Sequence, residues 1–308
     1  MLSNRRQTLL LGSAAIAAWP RWPMAAQDSP PSTASTASTP QAPRIVASFS
    51  VLADMARELA PAGIEVAALV GPDADAHVYE PSPADGRRLA QADLVLVNGL
   101  GFEGWIERMV QVSGYRGPLV QASRGIQARQ AGGAADSHAW QDLAQARHYA
   151  SNLSAAFAQR WPQQRAEIDR RGAAYVARID QLDAQVRAWL GAVPRAQRRV
   201  VSSHDAFGYF GAAYGVDFLA PQGWNTHSEP SAAAVARLIR QIKHDGVRAI
   251  FIENISDPRL VERIAREGGV RVGGTLYSDA LSKADGPAST YLKMIEHNAR
   301  RLADALRS

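Results

Sequence analysis

The stretch RIVASFSVLADMARELAPAGIEVAALV, residues 44–70, decides the fold. Residues 45–49 and 66–70 are short apolar, β-branched runs, and the segment between them is the length of a helix. Strand, helix and strand in that order call for a crossover connection and therefore a parallel pair. Moving outward, the same rhythm continues through runs at 94–97 and 118–121 and returns at 199–203, 216–220, 249–252 and 270–273. The chain then ends in an amphipathic stretch through Tyr291, Met294, Ile295, Leu302 and Leu306. Strands alternating with helices specify an α/β fold, here with two sheets, one in each half. Between the halves lie residues 162–190, where Ile168, Tyr175, Ile179, Leu182, Val186 and Leu190 recur at helical spacing. Pro162 suits a first helical position, and Gly191 and Pro194 mark the end. At about 1.5 Å per residue this helix is roughly 40 Å long, the height of a small domain, with Gly172 as its weak point. The expected architecture is α/β with two lobes, 44–161 and 192–308. Each is a mostly parallel four-stranded sheet flanked by helices, and one long backbone helix, 162–191, joins them.

The 308 residues are 46% hydrophobic and 20% charged, a globular composition with room for about two such domains. The absence of Cys excludes disulfides, thiolate metal sites, cysteine nucleophiles and a lipid-modified Cys, so any metal must sit on nitrogen and oxygen. Of the formal charge of +5, Arg5, Arg6 and Arg21 belong to a leader without acids, and the remaining excess is too small for a nucleic-acid footprint. Arg5-Arg6 precedes the apolar run 9–19 and small residues at Ala25-Ala26, an order that resembles a twin-arginine export signal. The expectation is an export signal over 1–26, cleaved near Ala26. A disordered Ser/Pro/Thr/Ala tether over 27–43 and a soluble periplasmic protein without a lipid anchor follow from it.

The seven His are distinguished by where they fall relative to the strands. His77 follows the 66–70 run, His138 follows the 118–121 run and a Gly-containing loop, His204 lies directly beyond 199–203, and Asp279 follows 270–273. In open parallel sheets the carboxyl ends of strands line the ligand crevice. Two candidates from each half can therefore meet between them. Three imidazoles and a carboxylate suit a divalent transition metal, and a closed four-coordinate shell leaves no labile water, which favours binding over catalysis. Such an ion would tie the two halves together, and the protein without it is expected to be looser there. Asp279 also has a competing reading as a helix or turn cap. His227, beside Glu229, reads as a cap or an exposed residue, and His148, His244 and His297 read as polar helical faces. Asp205 and Glu80 are the candidate acceptors for the outer ring protons of bound His. Trp105, Trp140 and Trp224 are read as core or interlobe packing.

These residues resemble the periplasmic solute-binding proteins of zinc and manganese ABC importers, from about Arg44 to the C-terminus. The segment Asp75-Ala76-His77-Val78-Tyr79-Glu80-Pro81-Ser82-Pro83-Ala84-Asp85 is similar to the family's first-ligand motif, and 94–99 resembles its strand ending in Asn-Gly. Ser203-His204-Asp205-Ala206-Phe207 resembles the third-ligand motif, Ser228-Glu229-Pro230-Ser231 a helix-starting segment, and Ser278-Asp279 the fourth ligand. Asp136-Ser137-His138-Ala139-Trp140 departs from the family's Asp-Pro-His-x-Trp by a Ser for Pro. His138 is nonetheless preferred to His148, which lies within a helix-like stretch. The loop 124–137 lacks the His- and acid-rich insertion of many zinc-specific members, and Gly132-Gly133 suggests that it moves.

The resemblance implies metal buried between two lobes, with His77, His138, His204 and Asp279 as ligands. It implies a membrane permease of an ABC importer as partner, leaves room for a periplasmic metallochaperone that loads the site, and suggests a monomer that is not an enzyme. Three His favour Zn²⁺ as the cargo, while Mn²⁺ is the same-class alternative, since manganese receptors more often carry Glu where His204 stands. A zinc hydrolase with Asp279 or Glu229 as general base is the rival from another class, but no His-Glu-x-x-His occurs. A surface adhesin has family precedent alone.

Overall fold

The computed structural model describes residues 42–307 apart from 132, 224 and 225. The expected export segment 1–26, most of the expected tether 27–43 and Trp224 lie outside the described residues. Within the tether, Pro43 is already docked, its carbonyl accepting a hydrogen bond from the Glu65 amide at 2.9 Å.

The first half runs β1 (Arg44–Phe49), α1 (Ser50–Leu59), β2 (Glu65–Val70), α2 (Pro83–Ala90), β3 (Leu94–Val97), α3 (Ile106–Ser113) and β4 (Leu119–Gln121). Its strands form a sheet in the order β2-β1-β3-β4, every pair parallel. β3 is Leu-Val-Leu-Val with all four residues buried, as expected of a parallel strand covered by helices on both faces. The 124–137 loop contains a two-residue antiparallel hairpin, β5 (Gln130–Ala131) with β6 (Ala134–Ala135). Two helices follow, α4 (Leu143–Arg160) and α5 (Arg165–Gly191). The second half runs β7 (Arg199–Val201), α6 (Gly208–Tyr214), β8 (Asp217–Leu219), α7 (Ala232–Asp245), β9 (Ala249–Glu253), α8 (Pro258–Gly268), β10 (Val272–Leu276) and α9 (Tyr291–Arg307). Its sheet has the order β10-β9-β7-β8, again all parallel. In both sheets the first strand lies between the second and third, so the two share one winding.

Two strands differ from the sequence pattern by more than one residue at an end. The run at 199–203 stops being a strand at Val201, because the chain turns to carry His204. The run expected at 270–273 is a strand at 272–276. A Cβ on Gly273 would lie 2.6 Å from the Phe251 ring, and Gly274 has φ +116 at a register shift against β9. Both glycines belong to the strand because the ring takes the space and the shift needs a conformation that only glycine adopts readily.

Helix α5 is preceded by a 3-10 turn, Pro162–Gln164, and buries Ile168, Gly172, Tyr175, Ile179, Leu182, Val186 and Leu190. Gly172 is not a weak point: a Cβ there would stand 2.9 Å from Ser154 Oγ, so its lack of a side chain lets α4 approach closely. One continuous core runs from Ile45 to Leu306, taking in Phe102, Trp140, Tyr175, Phe207, Phe251 and Tyr291 from both halves and from α5. Among the described residues no helix is long and apolar enough to cross a membrane.

Candidate metal centre

His204 and Asp279 sit three residues beyond the carboxyl ends of β7 and β10, His77 follows β2 by a turn and His138 follows β4 by the 124–137 loop, and the local chain explains the direction of each. After β2, the amide of His77 donates to Asp75 Oδ1 at 2.8 Å, and Trp105 Nε1 donates to the Ala76 carbonyl at 2.8 Å. The His77 ring then lies edge-on to Phe102, 4.7 Å between centroids. The same local device recurs at His138, whose amide donates to Asp136 Oδ1 at 3.0 Å. Asn98, at the end of β3, donates to the Ser137 carbonyl at 2.9 Å and so ties this turn to the first sheet. His204 is held by Glu253, at the end of β9, whose Oε1 accepts from the His204 amide at 2.9 Å.

Asp279 comes from the second sheet but is gripped by the first half. Trp140 Nε1 and Gln141 Nε2 both donate to the Ser278 carbonyl, at 2.9 and 2.8 Å. The Leu281 amide donates to Ser50 Oγ at 3.0 Å, and the Leu281 carbonyl accepts from the Asp73 amide at 2.9 Å. Trp140 and Trp105 are therefore more than packing: each fixes a loop that carries a candidate residue.

The four side chains converge. Asp279 Oδ2 lies 3.2 Å from His77 Nε2 and 3.3 Å from His204 Nε2, Asp279 Oδ1 lies 3.6 Å from His138 Nε2, and the Nε2 atoms of His77 and His138 are 3.4 Å apart. His138, His204 and Asp279 have no solvent exposure, and His77 has 2%. Bonds of about 2.0–2.1 Å to a tetrahedral ion imply donor separations of about 3.3 Å, close to these distances. Neither oxygen of Asp279 nor Nε2 of His204 has a well-aligned hydrogen-bond partner among the described residues, although all three are buried. Buried polar atoms left without partners are costly, and a shared cation satisfies all of them at once. The donor set fits a divalent transition metal.

Two rings are oriented from behind. His138 Nδ1 stands 2.8 Å from Asp136 Oδ1, and His204 Nδ1 stands 2.7 Å from Glu253 Oε2. Donation of the His138 Nδ1 proton to Asp136 leaves that ring's Nε2 lone pair facing inward and makes it more basic, whereas the Glu253 carboxylate acts on His204 as a close charge rather than through an aligned hydrogen bond. The candidate acceptors read from sequence are corrected here: Glu80 is exposed and Asp205 is half-buried, and Asp136 and Glu253 stand behind the imidazoles instead. Asp136 was detectable, since Asp75-Ala76-His77 and Asp136-Ser137-His138 repeat one Asp-x-His pattern. Glu253 had no local signal.

The acid groups set the electrostatics. Burial opposes charge on His138, but Asp279 and Asp136 outweigh it and raise the ring to about 9. His204 is raised well above the ordinary imidazole value, Glu253 and Asp279 outweighing its burial, whereas burial pushes His77 down. Asp279 is buried too, yet His138 and His204 hold it well below the usual carboxylate range. The pocket therefore calls for positive charge, which protons supply or a cation replaces.

The other His lie apart from this cluster or at its edge. His148 and His244 are exposed on α4 and α7. His297 is half-buried, with Nε2 3.1 Å from the Thr275 carbonyl and its ring against Tyr277, so it serves packing between α9 and β10 rather than a polar face. His227 is exposed, its ring 6.5 Å from that of His77. Glu229 is also exposed.

The whole folded part of the chain has known counterparts. Residues 45–305 match the family model described as zinc-uptake complex component A periplasmic. The zinc-binding protein TroA of Treponema pallidum is 33% identical over 275 residues, covering 86% of this chain and 89% of TroA. Its solved structure superposes with a TM-score of 0.82 at 31% identity, covering 86% of this chain and 99% of that one. The manganese-binding lipoprotein MntA of Halalkalibacterium halodurans is 29% identical, covering 85% of this chain and 88% of MntA. The iron-binding protein YfeA of Yersinia pestis is 28% identical, covering 84% of this chain and 85% of YfeA. With two parallel four-stranded sheets and a match across nearly all of the folded chain, this protein belongs to the zinc-uptake complex component A periplasmic family, whose relatives are metal-binding substrate-binding proteins of ABC transporters.

Proposed function

We propose that this protein is a periplasmic receptor that captures Zn²⁺ on His77, His138, His204 and Asp279 and delivers it to the membrane permease of an ABC importer. A metallochaperone that loads the site fits the same scheme. One observation carries the reading: three Nε2 atoms and a carboxylate, all buried, lie at the spacing of a tetrahedral shell. With all four directed at one point, the protein fills the position that a hydrolytic water would need, so the ion is cargo rather than a catalyst. Imidazole-rich shells favour zinc over manganese, whose preference is for oxygen donors. The same scheme divides the chain into an export leader (1–26), a tether (27–43), two lobes (44–161 and 192–308) and the connecting helix (162–191).

Manganese is the alternative that a relative's name supports, since MntA is a manganese-binding lipoprotein. Affinity in vitro does not separate the two, because zinc outcompetes manganese at almost any N/O site. The deciding experiment is elemental analysis of protein isolated from metal-limited periplasm, paired with uptake of each metal by a deletion strain. Zinc in the protein and a zinc-specific uptake defect are expected, and manganese in both overturns the choice of cargo. Alanine at His77 or His204 should abolish most zinc binding in a chelator competition. Wild-type binding by both variants would remove the ligand assignment.

A further inference from the structure

We infer that His227 is an exchange ligand, a transient zinc site at the mouth of the buried centre through which the ion enters and leaves. The inference rests on the receptor reading above. The four side chains that would hold the ion have at most 2% exposure, so its entry and exit need a path through the rim, and an imidazole on that path would carry it. Around His77 the rings of His138 and His204 lie at 5.5 and 5.9 Å, and the ring of His227 lies at 6.5 Å, edge-on to it. His227 is therefore a fourth imidazole at nearly the spacing that separates the three inner ones. Unlike them, it is exposed to solvent.

The chain holds His227 at that place from both sides. On one side Thr226 Oγ1 donates to Asp75 Oδ2 at 2.5 Å, and Asp75 Oδ1 accepts from the His77 amide, so the loop is bonded to the turn that carries His77. On the other side Gln222 forms a parallel bridge with His204, the Gly223 carbonyl accepts from the Asp205 amide at 3.2 Å, and Gln222 Nε2 donates to the Ser228 carbonyl at 2.9 Å. Thr226 is thus bonded to the turn that carries His77, Gln222 and Gly223 to the segment that carries His204, and His227 follows Thr226 directly, exposed. A hydrated zinc ion exchanges one water for the His227 imidazole. A second water then leaves as His77 binds, and His227 is released when the remaining inner donors close. Release runs through the same steps in reverse.

The test uses the intact protein and Zn²⁺ alone, with stopped-flow capture of zinc from a weak indicator and release to an excess of strong chelator. His227→Gln and His227→Ala are expected to slow capture and release together by at least fivefold, leaving the equilibrium constant within about twofold. His227→Asp, which restores a metal-binding group, is expected to recover much of the lost rate, a rescue that a merely structural role would not give. Unchanged rates in His227→Gln overturn the inference, as does a tenfold loss of affinity carried by release alone, which would make His227 a resident ligand. Failure of the wild-type protein to bind zinc would instead overturn the receptor reading, so the two failures are distinguishable.

Discussion

Asp136 bonds the outer nitrogen of His138, and Glu253 accepts from the His204 amide while its other oxygen stands 2.7 Å from the outer nitrogen of that ring. Outer-shell partners of this kind are commonly worth about 10- to 100-fold in metal affinity. Glu253→Gln is expected to weaken zinc binding by that order, read by chelator competition, with near-normal folding by circular dichroism. An affinity unchanged within twofold would mean that the carboxylate does nothing for the ion. The same acids govern pH dependence. A protonated imidazole cannot coordinate, and His138 is raised to about 9, with His204 higher than its ordinary value for the same kind of reason. Metal must therefore displace protons at neutral pH. Zinc affinity should keep rising from pH 7 to about 9, where unperturbed imidazoles would already have levelled off near 7.5. Titration calorimetry in buffers of different ionisation enthalpy measures the released protons directly, and none released at pH 7 would contradict the electrostatic account.

At the scale of elements, α1 of the first sheet anchors the segment after Asp279 near both ends. Ser50 Oγ accepts from the Leu281 amide, and Asp54 Oδ2 accepts from the Tyr291 amide at 2.7 Å. Burial raises Asp54 to about 6 from an ordinary 3.8, against the opposing pull of that amide. Since the folded state holds this proton more tightly than the unfolded chain, the contribution is most favourable below about pH 4 and is lost as pH rises through 6. The shift of about two units corresponds to at most about 3 kcal/mol. Asp54→Asn keeps an acceptor for Tyr291 and should stabilise the protein by roughly 1–3 kcal/mol at pH 7 with little effect at pH 4, read from urea midpoints. Equal effects at both pH values would contradict it. In α5, Ile179 is fully buried along the stripe that faces the shared core. Ile179→Ala should cost about 2–5 kcal/mol through lost contacts and a cavity.

For the molecule as a whole, the continuous core matters more than the division into halves. A set of buried side chains running from Ile45 to Leu306 through α5 leaves no dry boundary along which the two sheets could part freely. Unfolding of residues 42–307 without metal should accordingly be a single cooperative transition, and two separated transitions would show the halves to be independent. Zinc at a thousand times its dissociation constant should add about 4 kcal/mol to stability, and His204→Ala should remove that increment. The α/β winding was legible in residues 44–70 and in the later runs because a strand, a helix-length segment and a strand leave few alternatives locally. The positions of His77, His138, His204 and Asp279 were legible as residues in the segments that follow strands. Periodicity also fixed the stripe of α5 from Ile168 to Leu190. What the sequence could not state was distance. That the segment after β10 is held at Ser278, beside Asp279, by Trp140 and Gln141, that Glu253 bonds the His204 amide across 49 positions of chain, and that His227 stands beside His77 are facts of packing. Local patterns follow from backbone geometry over a few residues, whereas convergence of remote side chains depends on how two sheets and a helix share one core, and only the folded chain decides that.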